Sequence, residues 1–171
     1  MLSKLNKWQQ LLLLVFWVSI LGFCFAEVEI QIEGPHGWAS SLPTWKIDDG
    51  WFVNIFWGGR PLTGYHAWIF SFMFLVFHTP FFIIGKWNWK LECRTLACIE
   101  IFWLVEDFLW FVLNPAYGIS KFTPEYVWWH QRWLLFMPWD YWIFLVLAAG
   151  LLYVSYYGWH VPKATARENI K

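Results

Sequence analysis

The stretch Thr95 to Pro115 (TLACIEIFWLVEDFLWFVLNP) constrains everything else in this chain. It is long enough to cross a bilayer, which takes about 20 mostly apolar residues. Yet it carries Glu100, Glu106 and Asp107. An ionised carboxylate at mid-bilayer costs roughly 2.5–3.5 kcal/mol on insertion scales. Three of them facing lipid would be prohibitive, so they must be protonated, paired, or in contact with water or a metal. Wound at about 100° per residue, Glu100, Trp103, Asp107, Trp110 and Asn114 fall on one stripe, with Glu106 on its flank. Ile101, Phe102, Val105, Phe108, Leu109, Val112 and Leu113 fill the other side, which suits lipid or apolar helices.

Composition supports a membrane setting. Of 171 residues, 59% are hydrophobic and only 14% charged, and 17 are Trp, far above a soluble domain. Trp and Tyr collect at membrane–water interfaces, where a ring is half dry and half wet. Net charge is zero, so no basic surface argues for nucleic acid. Cys24, Cys93 and Cys98 form no CxxC, which gives neither a disulfide framework nor a thiolate metal site.

Hydropathy divides the chain into four apolar helices, at about 9–26, 65–85, 95–114 and 139–158. Outer loops run over 27–64 and 115–138, and an inner loop over 86–94. The expected fold is an all-α integral membrane bundle of four transmembrane helices, one domain over 1–171, without internal repeats. For the first apolar run, a signal peptide cleaved after Cys24-Phe25-Ala26 stands beside the retained helix. Glu27–Glu33 (EVEIQIE) alternates strictly and reads as a strand. Thr44–Ile47, the Asp48-Asp49-Gly50 turn and Trp51–Trp57, closed by Gly58-Gly59, extend it. The expectation is a small extracytoplasmic β-hairpin or three-stranded element between helices 1 and 2, with an irregular aromatic loop as the alternative. Pro80 interrupts the second helix. Thr123-Pro124-Glu125 reads as the start of a short amphipathic helix placing Trp128, Trp129, His130, Arg132 and Trp133 at the interface. Asp140 suits the first turn of the last helix, and Trp159 follows that helix.

Basic residues orient the bundle. Lys4, Lys7, Lys86, Lys90, Arg94, Lys163, Arg167 and Lys171 fall on one side; Lys46, Arg60, Lys121 and Arg132 fall on the other. Both termini are expected to be cytoplasmic, in a bacterial or archaeal cytoplasmic membrane.

The functional expectation is a polar pocket in the outer half. Glu106 and Asp107 are its candidate catalytic residues. Glu100, His78, Trp103, Trp110, Asn114 and Arg132 are candidate binding residues, with a His78–Glu100 contact on the inner side. His66, His130, His36, Glu33 and Asp107 are candidate ligands for a divalent metal, zinc or iron, which would activate water. Glu33-Gly34-Pro35-His36 has ExxH spacing, but Gly-Pro will not form the helix that makes it useful. Proton relay through Glu100, Glu106, Asp107 and His78 is a second chemistry. Spacing disfavours a two-haem bundle, because His66 and His78 share a helix while His130 and His160 lie on opposite sides; a single haem stays open. The leading reading is a site that binds or modifies an amphiphile from the membrane, possible metal assistance included. Its rivals are an accessory subunit, in which buried charges fix packing with a membrane-protein partner or a second copy, and a proton-coupled carrier. In the bland reading, His66 and His130 bond only water, Asp140 only caps its helix, and Glu92, Glu125 and Glu168 are solvated.

Overall fold

The computed structural model describes residues 5–55, 57 and 59–158. Lys4, Gly58, Trp159, His160, Lys163, Arg167, Glu168 and Lys171, invoked above, lie outside them. The described chain runs α1 (Lys7–Glu33), β1 (Lys46–Ile47), α2 (Trp51–Ile55), β2 (Leu62–Thr63), α3 (Gly64–Ile84), α4 (Trp89–Leu113), a 3₁₀ turn (Ile119–Lys121), β3 (Trp133–Leu134), β4 (Met137–Pro138) and α5 (Trp139–Tyr157). Among the described residues, α1, α3 and α5 are long and apolar enough to cross a membrane. With the density of Trp, they mark a membrane protein.

α4 is the axis of the molecule. It packs along α1 and α5 and touches α3. From Leu91 to Asn114 no residue is exposed, whereas α1, α3 and α5 each present large apolar side chains outward. The stripe expected on α4 is therefore only partly right. Its most buried line is Cys98, Phe102, Glu106 and Trp110, at steps of four. Phe102, expected on the lipid side, is 1% exposed. With neighbours on several sides, a helix has no single inner face.

Contacts between helix ends fix the antiparallel arrangement. The Lys7 ammonium sits over the Tyr157 ring at 5.0 Å, and the Arg94 guanidinium over Tyr156 at 4.3 Å. The start of α1, the start of α4 and the end of α5 thus share one end of the molecule. The two long connections, 34–63 and 114–138, share the other, called here the loop end.

Three local expectations are corrected. First, EVEIQIE is helical: α1 continues without a break to Glu33. Its buried residues Val18, Gly22, Ala26, Glu29, Ile30 and Glu33 keep a helical rhythm through the alternating segment. Packing on α4 thus decides against the strand. The approach is close at Gly22, where a Cβ would stand 3.0 Å from the Phe102 carbonyl oxygen. Gly34, at φ 65°, ends the helix. Second, Trp51–Ile55 forms the short helix α2 instead of a strand. The β element between the first two long helices reduces to the pair Lys46–Thr63 and Ile47–Leu62. Third, α4 begins at Trp89, inside the expected inner loop, because the Asn88 side chain accepts from Lys90 N and Leu91 N at 3.0 Å each.

The 115–138 connection also departs from expectation. No amphipathic helix follows Thr123. The Thr123 carbonyl accepts from both Tyr126 N and Val127 N, and the chain then dives inward. Val127, Trp129 and His130 are buried there, whereas Trp128 is exposed. The chain returns through the β3–β4 hairpin. Trp129 stacks on Phe111 at 5.6 Å in the aromatic core that also holds Trp38 and Trp110.

Candidate functional site

At the loop end, α4 delivers Glu106 and Asp107 to two adjoining polar groups. Consecutive helical residues diverge by about 100°, so the two carboxyls point to different neighbours.

Asp107 faces α5 and the inward loop. His130 Nε2 lies 3.1 Å from Asp107 Oδ2, and His130 Nδ1 lies 3.1 Å from Asp140 Oδ2. The Arg60 Nη1 atom, a donor only, also lies 3.4 Å from His130 Nδ1, so that nitrogen stands between a guanidinium and a carboxylate, while the two carboxylates favour the charged imidazole. Burial alone would lower its pKa; the Asp107 and Asp140 carboxylates outweigh burial and raise it above the ordinary histidine value. Arg60 from the first connection donates to Asp140 Oδ2 at 2.8 Å. The Tyr141 hydroxyl donates to Asp107 Oδ2 in a short contact. Every charged member of this network has an opposite charge beside it.

Glu106 faces α1. Its carboxyl and that of Glu29 lie within hydrogen-bonding reach of each other. Glu106 is 3% and Glu29 7% exposed. Glu29 also accepts from the Tyr65 hydroxyl at 2.8 Å. Glu33, one turn further along α1, accepts from Ala39 N and lies 4.0 Å from His66 Nε2. Thr63 Oγ1, 2.7 Å from His66 Nδ1, fixes that ring. The Glu106 Oε1 atom is buried without a hydrogen-bond partner, as is Trp110 Nε1 one turn away.

Trp38 joins the two groups. Its ring stacks on His66 at 4.0 Å and lies 4.7 Å from the Arg60 guanidinium. Trp38 sits in an unusual turn: Gly37, Trp38 and Ala39 have φ of 62°, 47° and 48°. For the two non-glycine residues this region costs about 1–2 kcal/mol each. The Ala39 N–H bond to Glu33 and the Trp38 Nε1 bond to the Pro61 carbonyl at 2.8 Å hold it.

Five of the expected site residues come together. Glu33, His66, Glu106, Asp107 and His130 all belong to this cluster, and His66 is buried instead of lying at the surface. Asn114 is buried and donates to the Gly34 carbonyl at 2.9 Å, latching α4 to the end of α1. Trp103 packs on Phe25, Phe70 and Phe102, and so is wall, not polar lining.

Others are misplaced by the expectation. His36 is exposed beyond the end of α1. Arg132 is exposed; Arg60 takes the role of the buried cation. His78 meets Glu92 at 3.1 Å instead of Glu100, since the earlier start of α4 brings Glu92 to that level. Glu100 is half-buried and has no polar partner among the described residues. No three His, Cys, Asp or Glu side chains among the described residues are placed to share one metal ion. The zinc or iron reading therefore lacks a donor set here. Asp140 is more than a helix cap, being shared by Arg60 and His130.

The residues missed are Glu29, Arg60, Tyr65 and Tyr141. Glu29 had a signal: Gly22, Ala26, Glu29 and Glu33 have helical spacing. Arg60 had none, lying in a loop without periodicity. No protein family, curated protein sequence or solved structure matches this chain.

Proposed function

We propose that this protein crosses the membrane four times and binds an amphiphile at the loop end, with the Glu29–Glu106 pair as the acid–base group that meets it. α4 serves as the fourth span, its charges shielded by its neighbours. The shared position of Lys7 and Tyr157 supports this, because both ends of the described bundle on one side need an even number of crossings.

One observation carries the functional reading: a carboxyl oxygen of Glu106 is buried, unpartnered and set beside a second carboxyl. Two carboxyls in contact away from water require a proton or a cation between them. A proton held there is available to an incoming polar group, which is the arrangement general acid–base chemistry uses. Donor placement favours the proton over a metal.

The test is infrared spectroscopy joined to native mass spectrometry of protein in mild detergent. A protonated-carboxyl band that disappears in Glu106→Gln, together with loss of a co-purifying amphiphile, is expected. No such band, or the same bound species in wild type and Glu106→Gln, would overturn the reading. The paired network around Asp107 favours a second reading, a packing device for an accessory subunit. If Asp107→Asn releases a co-purifying membrane protein while Glu106→Gln changes nothing, that reading replaces the first.

A further inference from the structure

The β3–β4 hairpin turns on Leu135 and Phe136. Two-residue hairpin turns favour Asn, Asp or Gly, which take the left-handed backbone cheaply and stand well in water. Here Leu135 takes that conformation, at φ 58°. The run from Trp133 to Trp139 (WLLFMPW) holds no charged residue. Leu135 is 79% and Phe136 71% exposed. In water such a turn would be penalised twice, for its backbone and for wetting two large apolar side chains.

The hairpin does not stand clear of the bundle. It lies on the start of α5: Trp142 Nε1 donates to the Leu134 carbonyl at 3.1 Å, and the Phe136 and Trp142 rings meet edge-on at 5.8 Å. α5 has 19 residues, which gives about 28 Å at an α-helical rise against about 30 Å of hydrocarbon. A span without slack keeps its first turn at the edge of the layer, and so keeps the hairpin there. Val146, one turn beyond Trp142 on the same face, is exposed as well. The apolar surface of the tip thus runs on into that of the span.

We propose that the tip, Leu134 to Phe136, is a wedge seated in the membrane interface, with the Leu135 and Phe136 side chains among the acyl chains of the loop-end leaflet. The proposal rests on α5 crossing the membrane and is independent of the amphiphile reading. Interfacial elements bury their apolar side chains about 5–10 Å into the headgroup–acyl boundary. That depth suits the tip better than the hydrocarbon interior, because the backbone at the turn still needs water. The Leu134 carbonyl already has its donor in Trp142. Polarity falls in the same direction: Arg132, at the base of the hairpin, is exposed, and the tip beyond it is wholly apolar. A second copy of the chain is the poorer occupant. Three side chains fall well short of the roughly 800 Å² that a stable pair buries on each partner.

The experiment is a depth measurement by nitroxide labelling of the full chain in palmitoyl-oleoyl phosphatidylcholine vesicles. Labels are placed through Leu135→Cys and Phe136→Cys, with Glu125→Cys as the water reference and Val146→Cys as the mid-span reference, in a Cys24→Ser, Cys93→Ser background. All four positions are exposed, so folding should survive. Collisions with oxygen, which enters hydrocarbon, are compared with collisions with chromium oxalate, an anion that does not. The oxygen-to-oxalate ratio at both tip positions should exceed that at Glu125 by about fivefold, because burying a charge in the apolar layer is so costly, and should stay below that at Val146. A tip ratio equal to that at Glu125 would put the hairpin in water and overturn the proposal. Few collisions with either reagent at the tip would mean that protein covers it, and would overturn the proposal as well. A Val146 ratio equal to that at Glu125 would withdraw the α5 span, and the wedge with it. The acid–base reading is decided separately, by the infrared band of Glu106.

Discussion

Two polar groups lie side by side at the loop end, made from the same kinds of side chain, and they are wired differently. Around Asp107, each acid has a base beside it: Arg60, Asp140, His130 and Asp107 follow one another at 2.8–3.1 Å, closed by the Tyr141 hydroxyl, and Arg60 Nη1 also comes within 3.4 Å of His130 Nδ1. Around Glu106, like meets like: Glu29 and Glu106 face each other, with Glu33 a turn away. A fully paired buried network holds a structure together, and removing one partner is strongly destabilising. A buried acid with an unpartnered oxygen does the opposite, since it lowers stability until something arrives to pair with it. Adjacent residues of α4 thus serve different purposes, and mutations should separate them.

The largest loss of stability should come from His130→Ala. It leaves Asp107 and Asp140 without the cation between them. Losing one member of a buried ion pair costs about 3–5 kcal/mol; both carboxylates are a quarter or so exposed, so about 3 kcal/mol is expected. Thermal unfolding in mild detergent reads it directly. A fall of less than about 1 kcal/mol, the range of a surface pair, would mean that the network is no brace.

The same network gives a pH dependence with a fixed sign. The His130 pKa is raised by Asp107 and Asp140 above its ordinary value of 6.5. Its contribution is therefore fully present below about pH 6.5 and is lost as pH rises through the elevated value. The unfolding temperature should fall on the alkaline side of neutrality, and His130→Ala should flatten that fall. A wild-type curve that improves with rising pH there would contradict the charged imidazole.

A smaller effect is expected at Asn114→Ala. The latch from Asn114 Nδ2 to the Gly34 carbonyl is one hydrogen bond to a partly buried acceptor. Its loss should cost about 1–3 kcal/mol and loosen the end of α1. Hydrogen exchange at Gly34 and Glu33 should rise while the inward loop stays protected.

How much of this was legible in the sequence follows from where each residue lies. Glu106 and Asp107 stand out because an acid in a long apolar run has few explanations. The four long helices follow from hydropathy for the same reason. Glu29 was hidden by EVEIQIE, which fits both a period of two and a helix whose outward residues are apolar. In lipid the usual polar-outside rule does not hold, so alternation loses its meaning there. Arg60 pairs with Asp140 across 80 positions of sequence, and nothing local announces that. The exchange of Glu100 for Glu92 as the partner of His78 turned on one cap, Asn88, that shifted the start of α4. His36 and Arg132 have only their residue types to mark them, and both are exposed on their loops.

The smallest change in stability is expected where the sequence signal was strongest. Glu106→Leu replaces an acid that lacks a full set of partners with an apolar side chain of similar bulk. Replacing buried ionisable groups by well-packed apolar ones is often neutral or stabilising, so unfolding should shift by under about 1 kcal/mol, in either direction. Glu106→Gln should behave alike. Retention of the amphiphile should nevertheless fall sharply in both, whereas His130→Ala should lose stability first and binding only as a consequence. A Glu106→Leu protein as crippled as His130→Ala would put Glu106 in the brace. The contrast between adjacent α4 residues would then vanish, because an acid that holds the fold cannot also be the one left free for a ligand.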